Sequence, residues 1–222
     1  MKRALTYLIA GVALTGVGLY FGGWAYLLLW PGIACLLVGV GYAGAGARVF
    51  GKRRDGSMPI WSWVLLLPYL GFTWSIWKLK RKISKEALYN EVAPGLWVGR
   101  RVLGEELPEG VSVLVDVTCE FEEPRSALGR CEYVSLPTLN YSVPGRGALE
   151  ALVEDLEGRE GVYIHCAQGH GRSATVAAAL LLRRGLAATA QEAVEMVVRV
   201  RPKTHLEPCQ ERLLESFRKT DG

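Results

Sequence analysis

One short stretch of the chain carries the residue types that could do chemistry. It runs, after the apolar β-type residues Val162–Ile164, as His165-Cys166-Ala167-Gln168-Gly169-His170-Gly171-Arg172-Ser173. Main-chain N–H groups of a glycine-containing loop at a helix N-terminus converge on a bound anion, and Arg172 can add two parallel hydrogen bonds to phosphate oxygens. The same dipoles lower the pKa of a cysteine at the start of the loop. The pattern predicts a Cys166 thiolate placed to attack a bound phosphorus atom.

The motif from His165 to Ser173 resembles the Cys-x5-Arg signature of the protein tyrosine phosphatase superfamily. Three other segments are similar to its dual-specificity branch: Pro94-Gly95-Leu96-Trp97-Val98-Gly99, Val115-Asp116-Val117-Thr118 and Arg201-Pro202-Lys203. The resemblance covers about residues 90–218 and leaves the N-terminal part outside it. It implies an α/β cysteine-phosphatase fold, with a central, mostly parallel sheet flanked by helices.

The resemblance also implies a role for each residue of the motif. Cys166 is the expected nucleophile, forming a phosphocysteine intermediate, and Arg172 is expected to bind the transferring phosphoryl group. Ser173 would donate a hydrogen bond to the sulfur, and His165 would set the loop geometry and the Cys166 pKa without transferring protons. The substrate-binding residues would be those between the nucleophile and the arginine, namely Ala167, Gln168, Gly169, His170 and Gly171. For His170, substrate contact and simple solvation are both open.

The family also requires a general acid, normally an aspartate on an upstream loop. The segment Leu136-Pro137-Thr138-Leu139-Asn140-Tyr141 matches that loop, with Asn140 at the aspartate position. An amide has no proton to donate at neutral pH, and general acid catalysis is worth about 10²–10⁴-fold. Three explanations are open: Asn140 replaces an aspartate to trap substrate, another acid such as Glu122 or Glu123 serves, or the natural protein is slow or inactive. Asp116 is a poor substitute because it lies inside a predicted strand.

Composition indicates neither a metal nor another cofactor. The five cysteines are an odd number without a CxxC pair or zinc-type spacing to the three histidines, which favours a reducing, cytoplasmic setting. Residues 1–82 carry a net charge of +9 within a chain total of +4, so the remainder is acidic. Because the basic residues flank apolar runs, a nucleic acid partner is excluded and an anionic membrane surface is favoured.

The N-terminal part predicts membrane-spanning helices. Residues 4–47 contain no charge and are roughly twice as long as a ~30 Å hydrocarbon core requires. We expect a helical hairpin, Leu5–Phe21 and Ala25–Ala47, with its turn at Gly22-Gly23 and residues 1–57 as the domain; the second helix could also start at Pro31. A cleaved signal peptide is the alternative, but the apolar run is too long for one.

A third apolar stretch, Ile60 to Trp77, contains Pro68 and is harder to place. Basic residues favour the cytoplasmic side of a membrane. A full third span would place the basic residues that follow it on the side opposite to Lys2, Arg3 and residues 52–54. The basic residues that follow it are Lys78, Lys80, Arg81 and Lys82. We therefore favour a re-entrant or interfacial segment with a basic linker over residues 58–85, and keep a true span as the alternative.

Residues 86–222 predict an alternating α/β domain that holds the motif. Its predicted strands are Leu96–Val98, Val111–Val117, Tyr133–Leu136 and Val162–Ile164. Its predicted helices are Ala148–Leu156, Ser173–Arg184 ending before Gly185, a helix capped by Thr189 and Glu192, and a final helix from Pro208.

The sequence thus predicts a membrane-anchored phosphomonoesterase. The anchor favours a phosphorylated membrane lipid as substrate, of the phosphatidylglycerophosphate or phosphoinositide type. The neutral loop residues Ala167, Gln168 and Gly169 favour a single phosphate. A phosphorylated membrane protein and a catalytically impaired phosphate-binding adaptor are the alternatives. We expect the inner membrane of a bacterium, with the catalytic domain on its cytoplasmic side.

Overall fold

The computed structural model describes residues 2–124 and 129–217, and these form two compact units. One unit is built from the described residues up to Arg53, from Ser57–Ser84 and from Cys119–Glu122. The other comprises Arg54–Gly56, Lys85–Thr118 and the described residues from Glu123 onward. We call them the apolar unit and the catalytic-type unit.

The apolar unit contains the predicted hairpin. Its helices are α1 Lys2–Phe21, α2 Leu29–Val40 and α3 Ile60–Ile83, with 3-10 turns at Gly23–Leu28 and Gly46–Phe50 around a π-helical turn at Gly41–Ala45. Gly22 and Gly23 have positive φ of 62° and 54°, which makes the predicted turn possible because glycine adopts this region without strain. The second helix begins at Leu29, two residues before Pro31.

Small residues allow α1 and α2 to pack closely. Gly11, Gly32 and Gly39 each face the opposite helix so tightly that an added Cβ would meet its atoms within 3 Å, and Gly18 faces Ala25 O of the following 3-10 turn equally closely. Large apolar side chains such as Leu5, Ile9 and Val12 point outward and are exposed. Close small-residue contacts with apolar outer faces are typical of helices packed in lipid.

The third apolar segment forms α3, one continuous helix of 24 residues that contains Pro68. The chain does not turn back in the middle of this segment, as a re-entrant loop requires, because the helix continues through Pro68. Three stretches are long and apolar enough to cross a membrane in the described residues: Lys2–Phe21, Gly23–Phe50 and Ile60–Ile83. The choice between a spanning and an interfacial α3 stays a prediction.

The catalytic-type unit confirms the predicted α/β fold. Its strands are β1 Tyr89–Ala93, β2 Leu96–Arg100, β3 Val113–Thr118, β4 Glu132–Thr138 and β5 Val162–Cys166. Among the described residues they form a five-stranded sheet in the order β1-β2-β5-β3-β4. The β1–β2 pair is antiparallel and the three other pairs are parallel, so the sheet is mixed and mostly parallel.

Four helices of this unit follow the sequence prediction closely. They are α4 Arg146–Leu156, α5 Arg172–Arg183, α6 Ala190–Val200 and α7 Pro208–Phe217. Gly185 follows α5 with φ of +66°, and Thr189 Oγ1 accepts the N–H of Glu192 over 3.0 Å at the start of α6. The Glu192 carboxylate, in return, accepts from Ala188 N rather than from Thr189 N as a capping box would have it.

The core of the unit lies around β5 and α5. The side chains of β5 and most of those of α5 are buried, together with apolar residues from α4 and from the neighbouring strands. Since β5 ends at Cys166 and α5 begins at Arg172, the predicted loop connects two largely buried elements of the domain. This fixes both ends of the loop.

Candidate active site

Cys166 lies at the carboxyl end of the central strand β5 and is only 4% exposed. Its Sγ accepts the main-chain N–H of Gly169 over 3.2 Å and the Ser173 hydroxyl over 3.4 Å. Burial by itself raises the pKa of this thiol, but the positive charge of Arg172 and the hydrogen bonds from Ser173 and Gly169 lower it more. The net effect is a pKa below the ordinary thiol value, so the geometry favours the thiolate.

Arg172 lies beside this sulfur and is 2% exposed. Its Nη1 donates to the carbonyl oxygen of Thr138 over 2.8 Å, at the end of β4. The guanidinium therefore connects the start of α5 with the segment that leads to Asn140. A buried guanidinium in this place presents a fixed positive charge to any anion above the sulfur.

Gly169 makes the tight loop possible. Its φ is +77°, and an added Cβ would lie 2.6 Å from the main-chain oxygen of Gly99 in β2. A side chain at this position would therefore meet both an unfavourable backbone conformation and the adjacent strand. The two glycines of the motif are not equivalent, because Gly171 has no such constraint from backbone atoms and serves as the N-cap of α5.

Arg201 is a site residue to which the sequence reasoning gave no role. It is 1% exposed, and its Nε and Nη2 donate to the carbonyl oxygens of Gly169 and Gln168 over 3.0 and 3.3 Å. Its Nη1 donates to Asn90 Oδ1 over 2.8 Å and to Ala87 O over 3.3 Å. The available signal was the similarity of Arg201-Pro202-Lys203 to a family segment, but sequence alone did not show what the guanidinium holds.

His165 points away from the sulfur, because successive residues of a strand face opposite sides of the sheet. Its Nε2 lies 3.9 Å from both Asp116 Oδ1 and Glu123 Oε2. The Asp116 carboxylate accepts from Thr118 and Tyr133. Glu123 forms a 3.2 Å ion pair with Arg101. His165 is therefore adjacent to Cys166 in the chain, but its side chain lies in a buried polar network on the other face of the sheet.

The set Asp116, Glu123 and His165 has the composition of a metal site. One ligand atom from each lies within 4.8 Å of the others, and all three side chains are buried. Both carboxylates are, however, already bonded to protein donors, as expected for a structural ion-pair network. The predicted absence of a metal stays a prediction.

Asn140 lies in an exposed turn after β4. Ser142 N donates to Leu139 O over 3.1 Å across this turn, and Tyr141 adopts a left-handed φ of 59°. Gln210 from α7 donates to Ser142 O over 2.9 Å and anchors the turn. The turn is connected to the nucleophile loop through Thr138, whose carbonyl oxygen accepts from Arg172.

Two of the three carboxylates considered as substitutes, Glu123 and Asp116, are poorly placed for proton donation. The Glu123 carboxylate is buried, paired with Arg101 and next to His165, on the face of the sheet opposite to that of Cys166. Glu122 Oε1 accepts the main-chain N–H of Met58 within the apolar unit. Asp116 is fully buried in β3, as its position in a predicted strand indicated.

A comparison with protein-family models identifies the domain. Residues 105–216, half of the chain, match the PTP-SAK model, described as Swiss Army Knife protein, DSP-PTPase phosphatase domain. The chain belongs to this family. PTP-SAK membership confirms the resemblance to the dual-specificity cysteine phosphatases and assigns residues 105–216 to a cysteine-type phosphatase domain.

Several solved structures share this fold. PTPMT1 in complex with PI(5)P is 22% identical and aligns over 60% of this chain and 96% of that chain, with a TM-score of 0.53. Tk-PTP in the active form is 26% identical, with 60% and 97% coverage and a TM-score of 0.53. Human DUSP28 is 19% identical, with 60% and 95% coverage and a TM-score of 0.51. A search of curated proteins found no match.

Proposed function

We propose that this PTP-SAK protein hydrolyses a phosphomonoester through a phosphocysteine intermediate. The observation that carries the proposal is the pair of donors on Cys166 Sγ, from Gly169 N–H and the Ser173 hydroxyl, beside the buried Arg172. The thiolate attacks phosphorus, the bond from phosphorus to the ester oxygen breaks, and the leaving oxygen takes a proton from solvent water. Water then attacks the phosphocysteine, which releases inorganic phosphate and restores the thiolate.

Each motif residue has a role in this scheme. Arg172 binds the equatorial phosphoryl oxygens, and the main-chain N–H groups of the loop other than that of Gly169, which donates to the sulfur, supply the remaining donors. Ser173 donates to the sulfur and stabilises it as a leaving group in the second step. His165 is a positioning residue that connects the loop to the buried network at Asp116 and Glu123.

Asn140 leaves the scheme without its usual proton donor. The pairing of Glu123 with Arg101 disfavours that carboxylate as a substitute, while an engineered replacement, a naturally slow protein and a role for Glu122 stay open. In the first two cases we expect the chain to bind a phosphoryl group better than it turns one over. This same observation supports the second candidate function, a phosphate-binding adaptor at a membrane.

A phospholipid headgroup is the substrate class that we propose. Three apolar helices support attachment to a bilayer, and PTPMT1, which shares the fold, has been solved with PI(5)P. A domain tethered at the bilayer surface meets lipid headgroups at high effective concentration. The neutral residues Ala167, Gln168 and Gly169 favour a headgroup with a single phosphomonoester, as in phosphatidylglycerophosphate or a monophosphorylated phosphoinositide.

We further propose that the apolar unit anchors the protein in the inner membrane of a bacterium, with residues 86–222 on the cytoplasmic side. Basic residues follow the predicted spans, and each contributes about 1 kcal/mol near an anionic lipid surface. They are Lys52, Arg53, Arg54, Lys78, Lys80, Arg81 and Lys82. Resistance to alkaline extraction from membranes tests the anchor, and protease accessibility of residues 86–222 in sealed vesicles tests the orientation.

The deciding experiment measures phosphate release by the full chain in nanodiscs, with Asn140→Asp compared with the chain as it stands. The panel contains phosphatidylglycerophosphate, monophosphorylated phosphoinositides and phosphopeptides, and Cys166→Ser is the matched inactive control. We expect Asn140→Asp to raise turnover of a phospholipid by about 10²–10⁴-fold.

The other outcomes decide between the alternatives. Turnover of phosphopeptides alone would replace the lipid assignment by that of a protein phosphatase. No turnover by either protein, combined with phosphate binding, would favour the adaptor. If Asn140→Asp and the chain as it stands release phosphate at the same rate, residue 140 is excluded as the general acid position.

A further inference from the structure

Three side chains meet at the outer edge of the nucleophile loop, and we call them the rim cluster: Glu86, His170 and Lys203. The Nε2 atom of His170 lies 3.2 Å from the Glu86 carboxylate. Lys203 Nζ lies 3.3 Å from Oε2 of the same carboxylate. The rim cluster thus combines residues from three separate segments of the catalytic-type unit around one acidic group.

The rim cluster has no net positive charge at neutral pH. Burial raises the pKa of Glu86, but attraction to His170 and hydrogen bonds from His170 and Lys203 lower it further, so the carboxylate is ionised. Burial lowers the pKa of His170, and this effect exceeds the opposing attraction to Glu86, so the ring is neutral. Because a carboxylate only accepts hydrogen bonds, the His170 proton resides on Nε2. The charges of Glu86 and Lys203 then cancel.

We propose that Glu86 determines substrate specificity by occupying the two donors that a second phosphomonoester of a substrate would use. The inference rests on the proposed function and deepens it: the site selects substrates that carry no second phosphomonoester near the loop. Glu86 is an anionic side chain at the edge of the site. A second phosphomonoester on a substrate would have to displace it from His170 and Lys203, or approach it against like-charge repulsion.

The placement of His170 makes this effect local to the bound substrate. His170 is the fourth residue after Cys166, and its main-chain oxygen accepts from His205 N over 3.2 Å, which fixes the loop at this residue. His170 is also one of the five residues between Cys166 and Arg172, so the rim cluster includes a residue of the loop that would hold the phosphoryl group.

Burial decides whether a single charge at this position is effective. The Lys203 side chain is 65% exposed, and an ion pair made by Lys203 alone would be strongly screened. Glu86, in contrast, is 20% exposed and is held by both partners. Its main-chain oxygen also accepts from Arg100 over 2.8 Å, so the backbone that carries the carboxylate is fixed. A fixed, partly buried charge is screened less than a mobile one.

The experiment compares the binding of glycerol monophosphate and glycerol bisphosphate to the full chain in detergent. All proteins carry Cys166→Ser, so that no turnover occurs, and dissociation constants are measured by calorimetry. The test variant is Glu86→Gln, which keeps the shape and removes the charge. The matched control is Glu154→Gln on the exposed surface of α4, with the same change in net charge.

We expect Glu86→Gln to raise the preference for the bisphosphate over the monophosphate by about tenfold, because repulsion by one close charge is removed. Glu154→Gln is expected to leave this ratio unchanged. In the double variant Glu86→Gln/Lys203→Ala, most of the gain in bisphosphate preference should be lost. The Lys203 ammonium, no longer paired with Glu86, is the group that would bind the second phosphate.

Two other results have distinct meanings. If both ligands bind and the ratio is the same in the parent and in Glu86→Gln, the specificity role of Glu86 is excluded while the phosphate site stands. If neither ligand binds to any of the proteins, the phosphate site of the proposed function fails, and the role of Glu86 fails with it.

Discussion

Arg201 donates through Nε to the carbonyl oxygen of Gly169 over 3.0 Å, behind the loop that holds Cys166. Its Nη2 holds the preceding carbonyl, that of Gln168, over 3.3 Å. In a planar trans peptide the N–H points opposite to the C=O. The hydrogen bond from Arg201 to the Gln168 carbonyl therefore directs the Gly169 N–H towards the sulfur. The Gly169 nitrogen lies 3.2 Å from Cys166 Sγ. Arg201 is a positioning residue for the thiolate.

Arg201→Lys tests this relationship. A lysine keeps the charge but cannot form the fork that holds two consecutive carbonyls. We expect the pKa of Cys166 to rise and its alkylation by iodoacetamide at pH 7 to slow by about tenfold, because the thiolate fraction falls. The measurement is the pH dependence of the alkylation rate. Arg199→Lys, on the exposed face of α6, is the control; an unchanged pH midpoint in Arg201→Lys would contradict the positioning role.

The pH profile of Cys166 gives a second prediction. Its pKa is lowered in the folded protein by Arg172, Ser173 and Gly169 against the opposing effect of burial. Alkylation should therefore reach its plateau at a pH below the range of an ordinary thiol. The lowered pKa also stabilises the fold above the pKa of the unfolded thiol, and this contribution is lost as pH falls through the folded value.

Ser173→Ala removes one of these donors. We expect the alkylation midpoint to move to higher pH, with phosphate binding largely retained, because Arg172 and the loop N–H groups remain. Ser142→Ala supplies a comparison in the Asn140 turn, where the main-chain atoms of Ser142 make the contacts. A midpoint in Ser173→Ala equal to that of the parent would show that the 3.4 Å contact does not stabilise the thiolate.

Gly169→Ala should destabilise the catalytic-type unit. The new Cβ would lie 2.6 Å from Gly99 O at a φ of +77°, and neither backbone can move without disturbing β2. We expect a loss of at least about 2 kcal/mol in the free energy of unfolding. Gly147→Ala is the matched control, since this glycine is inside α4 with nothing within 4 Å. There we expect a gain of roughly 0.5–1 kcal/mol, measured for both by denaturant unfolding.

The apolar hairpin has its own matched pair. An added Cβ at Gly32 in α2 would lie 2.5 Å from Thr15 Oγ1 in α1, whereas one at Gly16 would meet nothing within 4 Å. Gly32→Ala should lower the thermal stability of the protein in detergent, and Gly16→Ala should not. Equal midpoints for the two variants would mean that α1 and α2 tolerate a wider separation.

Much of this protein follows from patterns that are local in the sequence. The order of a strand, Cys166, two glycines and Arg172 before a helix specified the loop, because each step depends on neighbouring residues. The uncharged run around Gly22 and Gly23 likewise specified the helical hairpin. The strand β1, Tyr89–Ala93, was missed because it is short, partly exposed and at the edge of the sheet.

The tertiary structure decided what depends on residues far apart in the chain. His170 and Glu86 are separated by 84 residues, and Arg201 reaches Asn90 across 111. No local periodicity encodes such contacts, since they arise only when the sheet order brings β1, β5 and the segment after α6 together. The same reason applies to Glu123, whose carboxylate became unavailable as an acid only through its pairing with Arg101. Sequence therefore determined which residues form the candidate nucleophile loop, and the packing of distant segments decided which groups hold and surround that loop.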